Sequence, residues 1–231
     1  MNPVSATRKF CAMAALLAKD PSGLRYVHRW FYSLLPGHYP LVDELPWITF
    51  KAITWLSDYL DPDMTVFEYG SGGSTLFLCQ RVQRVITVEH DRAYFDLVRD
   101  RLATRGITNC EYMLREPAPL CSPEIQDYST ESFTSFAERY RKMSFREYVR
   151  TIDNYPDQTF DLVVVDGRSR ISCVRRALKK IKPGGYILLD NSERPGYQDA
   201  RNLLKHCDSC DFFGIVPSNL ELYQTSVWRI D

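Results

Sequence analysis

The spacing of apolar positions changes character once along the chain. Up to residue 61 it is helical. Ile48, Ala52, Ile53, Leu56, Tyr59 and Leu60 fall on one face, as an amphipathic helix requires. Pro46 suits the first turn of that helix, and Asp61-Pro62-Asp63 breaks it. From residue 64 short apolar runs alternate with helical segments. The pattern predicts strands at 64–69, 84–89, 110–114, 160–166 and 186–189, and helices at 74–82, 92–104, 171–182 and 198–207. Leu162-Val163-Val164-Val165 is continuously apolar, as expected of a parallel strand covered on both faces. Two last strands, 212–216 and 222–230, have no helix between them and so predict an antiparallel hairpin. Together these give an α/β, doubly wound, mostly parallel seven-stranded sheet, preceded by an N-terminal helical cap over 1–61, with the main domain over 62–231.

One connection is too long for a simple turn. Residues 115–159 form an insertion in which Phe133, Phe136, Ala137 and Tyr140 make a helical stripe. Arg139, Arg141, Lys142, Arg146 and Arg150 make it basic. It reads either as a packed helix with a solvated basic face or as a substrate lid.

Composition narrows the function. The 231 residues carry 29 Lys+Arg and 29 Asp+Glu, for a net charge of zero. A protein held on long nucleic acid by phosphate neutralisation needs a basic excess, so no such partner is expected. No apolar run reaches the ~18–20 residues of a membrane span. Arg8 and Lys9 before Phe10–Ala18 have the look of a signal-peptide core, but the segment reads better as a helix ended by Lys19-Asp20-Pro21. The seven cysteines are odd in number and scattered, which fits a reducing, cytoplasmic setting. Cys207-Asp208-Ser209-Cys210 lacks the second pair or the histidines of a zinc site.

The chemistry begins at Glu68-Tyr69-Gly70-Ser71-Gly72-Gly73-Ser74-Thr75, where a predicted strand runs through glycines into a helix. Glycines let the backbone turn sharply and approach a ligand closely. Glu89 closes the next strand, where a carboxylate can accept hydrogen bonds from ribose hydroxyls. Thr75 stands where a pyrophosphate fingerprint wants glycine, and Glu68 favours a cationic ligand.

With these residues the sequence resembles the class I S-adenosylmethionine-dependent methyltransferases, a Rossmann-like family. Glu68–Gly73 is similar to their first motif, Val88-Glu89-His90-Asp91 to their second-strand acid, Phe160–Gly167 to their fourth strand, and Lys182–Leu189 to the turn into their fifth. The resemblance covers residues 62–231. It implies that Gly70, Ser71, Gly72, Gly73 and Ser74 cradle the methionine part of S-adenosylmethionine. It further implies that Glu89 holds the ribose, that Glu68 acts near the ammonium, and that Asp166 reaches the cofactor. The adenine contact stays open between His90 and the residues around Arg115-Glu116.

Asp166 ends the fourth strand and Asp190-Asn191 the fifth. The catechol O-methyltransferase type has an Asp and an Asp-Asn pair at these places. That resemblance implies a Mg²⁺ site of Asp166, Asp190 and Asn191 that would orient an acceptor hydroxyl. The alternative is a metal-free site with Asp166 as base and Asn191 beside it. Arg168, Arg170 and Arg194 flank these acids, either to pair with them or to bind an anionic or sugar-like acceptor. The expected activity is methyl transfer to a small-molecule hydroxyl. Two alternatives remain: a nicotinamide-dependent oxidoreductase, and a binding module without catalysis.

Overall fold

The computed structural model describes residues 14, 15, 17–120 and 132–231. Cys11, Cys121 and most of the apolar segment from Phe10 lie outside the described residues. The described end of that segment is helical. No helix among the described residues is long and apolar enough to cross a membrane.

Seven strands form one sheet in the order β3-β2-β1-β6-β7-β9-β8. In chain order they are β1 (Thr65–Tyr69), β2 (Arg84–Glu89), β3 (Cys110–Leu114), β6 (Phe160–Val165), β7 (Ile181–Asp190), β8 (Ser209–Ile215) and β9 (Leu222–Arg229). The pairs from β3 through β7 are parallel, and β9 runs antiparallel to both β7 and β8. The predicted sheet and its terminal hairpin are therefore present, with β9 rather than β8 against β7. Two short strands, β4 (Ala118–Pro119) and β5 (Met143–Ser144), pair with each other within the insertion.

Helices cover both faces. On one lie α1 (Val27–Ser33), α3 (Phe50–Tyr59), α4 (Gly73–Cys79) and α5 (Arg92–Thr104), and α2 (Pro40–Asp43) packs on α4. On the other lie α6 (Arg146–Arg150), α7 (Arg170–Ala177) and α8 (Gln198–Leu203). Strand β6 shows why both are needed. Leu162 and Val164 enter the first core, while Phe160, Val163 and Val165 enter the second. A two-sided parallel strand must be apolar at every position, which is the run visible in the sequence. The cap shares the first core: Trp30, Phe50, Ile53 and Leu56 are buried with Val66 and Leu162. Trp30 Nε1 donates to the Asn219 carbonyl at 2.7 Å, and Trp47 Nε1 to the Pro217 carbonyl at 2.8 Å. Two indoles thus tie the cap to the β8–β9 turn.

Several boundaries moved. The helix predicted from residue 48 starts at Phe50 behind Thr49, whose hydroxyl accepts from the Ala52 amide. Pro46 therefore precedes it. The Phe133–Tyr140 stripe is not an α-helix. Phe133 has φ 54°, and only Glu138–Tyr140 forms a 3₁₀ turn. A side chain in the left-handed region ends regular winding. The helix predicted to Lys182 stops at Ala177, and Pro183-Gly184-Gly185 lies inside β7 rather than before it. The pairing of β6 with β7 shifts register between Phe160 and Leu162 opposite these residues, and Gly184 has φ 82°. The turn chemistry is spent on an irregularity within the strand. The helices predicted over 74–82 and 198–207 are likewise shorter, Gly73–Cys79 and Gln198–Leu203.

Candidate active site

The carboxyl ends of β1, β2, β6 and β7 open on one cleft of about 960 Å³, large for a ligand pocket. The glycine loop forms its floor. Gly70 has φ 91°, and a Cβ there would stand 2.8 Å from the Cα of Gly167. Only glycine meets both demands. Its amide donates to the Val88 carbonyl at 2.9 Å, and the Asp166 amide donates to the Tyr69 carbonyl at 3.0 Å. The ends of β1, β2 and β6 are thereby laced around the loop. Gly73 answers a different demand: a Cβ there would overlap the carbonyls of Pro40 and Leu45. The cap backbone rests on the start of α4.

The two glutamates have separate fates. Glu89 is nearly buried and ionised. Ser71 donates to its Oε2 twice, from the amide at 2.9 Å and the hydroxyl at 2.8 Å. The amides of His90 and Asp91 donate to Oε1 at 2.7 and 2.9 Å. Burial would raise its pKa, but His90 and these amides overcome that and hold it down to about 2. This places a fixed anion at the wall of the cleft. Glu68, by contrast, is not on the cleft surface. It is fully buried beneath the loop, where the hydroxyls of Thr75 and Thr87 donate to Oε2 at 2.6 and 2.8 Å. Burial pushes its pKa up to about 7 against the pull of the surrounding hydroxyls. Thr75 Oγ1 in turn accepts from the Gly72 amide at 3.0 Å, so Glu68 props the loop from below. Glu68 therefore stands behind the loop and not on the cleft wall, so a role near the ammonium would reach it through the loop or water and not by side-chain contact.

Ser71, Gly72, Gly73, Ser74, His90 and Asp166 all line the cleft. His90 is buried among Tyr140, Phe145 and Tyr148 at ring distances of 5.3, 5.6 and 5.9 Å. Arg115 and Glu116 are not on the cleft wall, where Glu116 instead pairs with Arg92 at 2.7 Å. The described part of the insertion contributes to both the core and the cleft. Phe145, Tyr148, Val149 and Ile152 are core, and Arg139 reaches the cleft.

At the ends of β6 and β7 the three predicted oxygen donors do not converge on a vacant position. Arg170 occupies it. Its Nη2 donates to Asp166 Oδ1 at 2.8 Å and its Nε to the Gly167 carbonyl at 3.0 Å, and Nη1 donates to the Asp190 carbonyl. Nη1 also stands 4.0 Å from Asp190 Oδ2. Asp190 Oδ1 accepts from the Thr225 hydroxyl at 2.7 Å. A hard cation needs several free oxygens around one point, and here a buried guanidinium has taken that point. The Mg²⁺ site of Asp166, Asp190 and Asn191 is therefore corrected: these residues do not fit the ion. No cluster of ligating side chains appears among the described residues, the Cys207/Cys210 pair included.

The two aspartates are coupled. Burial, and then the charge of Asp166, push Asp190 up to about 8. Burial also raises Asp166, against the pull of Arg170, Arg168 and Arg194. A hydrogen bond from Asp190 pulls Asp166 back down, so of the two carboxyls Asp190 is the one that favours its proton. Asp166 remains partly open to the cleft, so it can take a proton from a bound hydroxyl. Asn191, at φ 52°, lines the same cleft.

Sequence reasoning did not find the props. Thr87 lies directly across from Glu68 in the β1–β2 register, a pairing that predicted strands alone could have suggested. Tyr39, Trp47 and Tyr94, which line the mouth, carry no motif.

A methyltransferase-domain family model matches residues 67–192. Among solved structures, the O-methyltransferase TomG from Streptomyces achromogenes, involved in tomaymycin synthesis and in complex with SAM, is 17% identical. That match covers 88% of this chain and 97% of that one, with a TM-score of 0.57. A Streptococcus mutans protein in complex with SAH is 13% identical, covering 77% and 94%, with a TM-score of 0.51. An rRNA methylase from Streptococcus thermophilus is 12% identical, covering 77% and 93%, with a TM-score of 0.50. No curated protein matches by sequence. The family match spans the glycine loop, Glu89 and both strand-end aspartates, and it sets aside the nicotinamide alternative: the chain belongs to the methyltransferase-domain family and is a class I S-adenosylmethionine-dependent methyltransferase.

Proposed function

We propose that the protein transfers a methyl group to a hydroxyl oxygen of a small molecule, without a metal, using Asp166 as the base. The observation that carries this is Asp166, partly open to the cleft that starts at the glycine loop and held there by Arg170 at 2.8 Å beside the buried Asp190. S-adenosylmethionine, when bound, supplies an electrophilic methyl on a sulfonium.

The chain's own residues divide the remaining work. Gly70, Ser71, Gly72, Gly73 and Ser74 cradle the methionine part, Glu89 accepts from the ribose hydroxyls, and His90 walls the adenine side. Asp166, Asp190 and Asn191 face the acceptor. Asp166 draws the proton from the acceptor hydroxyl, which makes the oxygen a better nucleophile. Arg170 holds Asp166 in one orientation. Holding acceptor and methyl in line supplies much of the rate by proximity. The O-methyltransferase from Streptomyces achromogenes has this fold, which agrees with an oxygen acceptor.

The test pairs calorimetry with turnover. The protein is expected to bind S-adenosylmethionine and not NAD. It should then methylate members of a hydroxylated small-molecule panel. Asp166→Asn is expected to lower kcat by roughly 10²–10⁴-fold with cofactor affinity kept. Full activity in that variant, or turnover confined to RNA, would overturn the assignment.

A further inference from the structure

Four guanidiniums line the cleft: Arg139, Arg168, Arg170 and Arg194. Two are accounted for. Arg170 is spent on Asp166 and the strand-end carbonyls. Arg139 stands 3.6 Å from Asp91 and lies over the Tyr140 ring. Arg168 and Arg194 make no ion pair among the described residues. Arg168 is held by packing instead, 5.6 Å over the same Tyr140 ring, with its Nε buried and unpartnered. Arg194 is exposed, in the turn after Asn191. Both act on Asp166 through their charge, so both stand near the reacting end.

This leaves a local imbalance of charge. Besides Asp190, the carboxylates lining the cleft are Glu89, Asp91 and Asp166: Glu89 is taken by Ser71 and the His90 and Asp91 amides, Asp91 stands by Arg139, and Asp166 is paired by Arg170. Asp190 holds a proton at neutral pH. A bound sulfonium adds positive charge to the same space. Arg168 and Arg194 are thus left without a carboxylate of their own, and their charge attracts an anion to the reacting end of the cleft. Guanidinium is also the side chain that binds carboxylate or phosphate in a fixed bidentate geometry.

We infer that the acceptor carries an oxyanion, a carboxylate or a phosphate, which Arg168 and Arg194 hold so that its hydroxyl lies at Asp166. This rests on the methyltransferase reading of the cleft and names its substrate class. A small anion fits better than a nucleic-acid strand. The mouth is lined by Tyr39, Trp47 and Leu97, all well exposed, where a strand would want a basic track. Those side chains suit the apolar body of a compact acceptor.

The experiment loads the full chain with S-adenosylhomocysteine and titrates it by calorimetry with benzoate, inorganic phosphate and a short RNA. Benzoate and phosphate are the two arms that distinguish the oxyanion. At least one is expected to bind, more weakly as salt is added. Arg194→Ala and Arg168→Gln are each expected to weaken that binding about tenfold or more, as loss of a charge-assisted hydrogen bond does. Cofactor affinity should stay within about twofold of the parent. Arg194 is exposed, so its variant keeps the fold even where Arg168→Gln does not. No anion binding to the loaded protein would overturn the inference, and so would unchanged binding in Arg194→Ala. Weakened cofactor binding in the variants would assign the arginines to the cofactor's own carboxylate. RNA binding tighter than either small anion would assign them to a nucleic-acid backbone. Failure of the loading step itself would overturn the parent reading as well, and it is seen before any anion is added.

Discussion

Arg170 and Asp166 form a buried-to-cleft ion pair at 2.8 Å, i to i+4 across the turn that leaves β6. The same guanidinium bonds the carbonyls of Gly167 and Asp190. One side chain therefore fixes the ends of two strands and fills the position a metal would need. Methyl transfer is expected to run at full rate in EDTA, with nothing gained from added Mg²⁺. Arg170→Lys keeps the charge but loses the fork, and should fold with a lower kcat. Arg170→Ala removes one partner of a buried pair, at a cost of about 3–5 kcal/mol. A chelator-sensitive rate restored by Mg²⁺ would reinstate the metal site.

Glu89 is held at about pKa 2, against 4.5 for a free glutamate. Its contribution to stability is therefore complete above about pH 4.5 and is lost as the pH falls toward 2. Glu89→Gln should flatten the acid limb of a thermal-melt series over that window and weaken S-adenosylmethionine binding at neutral pH. An acid limb identical to the parent's would show that its bonds to Ser71, His90 and Asp91 do not stabilise the ionised form.

Glu68 has the opposite sign. Its pKa is raised from 4.5 to about 7, so its contribution is fully present below about pH 4.5 and is eroded as pH rises through 7. Glu68→Gln keeps the shape and removes the titration. The variant should melt higher than the parent at about pH 8 and show a smaller loss of Tm between about pH 4.5 and 8. A parallel pH profile for the two proteins would mean that the prop beneath the loop is not titrating.

Gly72 and Gly73 are adjacent but unequal. Gly72 is extended at φ 167°, and a Cβ there meets the Tyr94 hydroxyl at 3.3 Å and the Ser74 hydroxyl at 3.9 Å. Gly73 has the cap carbonyls against it. Gly72→Ala should fold normally, whereas Gly73→Ala should lose about 1–3 kcal/mol by overpacking, read by denaturant melts. A bulkier residue at Gly72 should leave the melt intact and abolish cofactor binding. Equal melts for the two alanine variants would show that the cap does not rest on Gly73.

The regular parts of this molecule were legible because their causes are local. Leu162–Val165 had to be apolar at every position, and Gly70 with Glu89 kept the spacing set by one strand and one helix. What stayed hidden depends on which strands become neighbours. Asp166 and Asp190 stand within one arginine's reach because β6 and β7 pair, and a row of Arg168, Arg170 and Arg194 does not say which one turns inward. The burial of Glu68 beneath the loop was not legible because it depends on Thr75 and Thr87, the latter on another strand. The Phe133–Tyr140 stripe had helical spacing, yet Phe133 is left-handed and buried for packing alone.

The two indole tethers give the protein an optical readout of its own. Trp47 is 54% exposed, lines the cleft mouth, and is bonded to Pro217 at the base of the turn that carries Ser218 and Asn219 along the same wall. Trp30 is fully buried on the other tether. A ligand that shifts this turn changes the surroundings of both tethered indoles, two of the chain's four tryptophans. Acceptor binding can thus be followed by tryptophan emission without a label, and Trp47→Phe would reduce the signal while leaving the Trp30 tether in place.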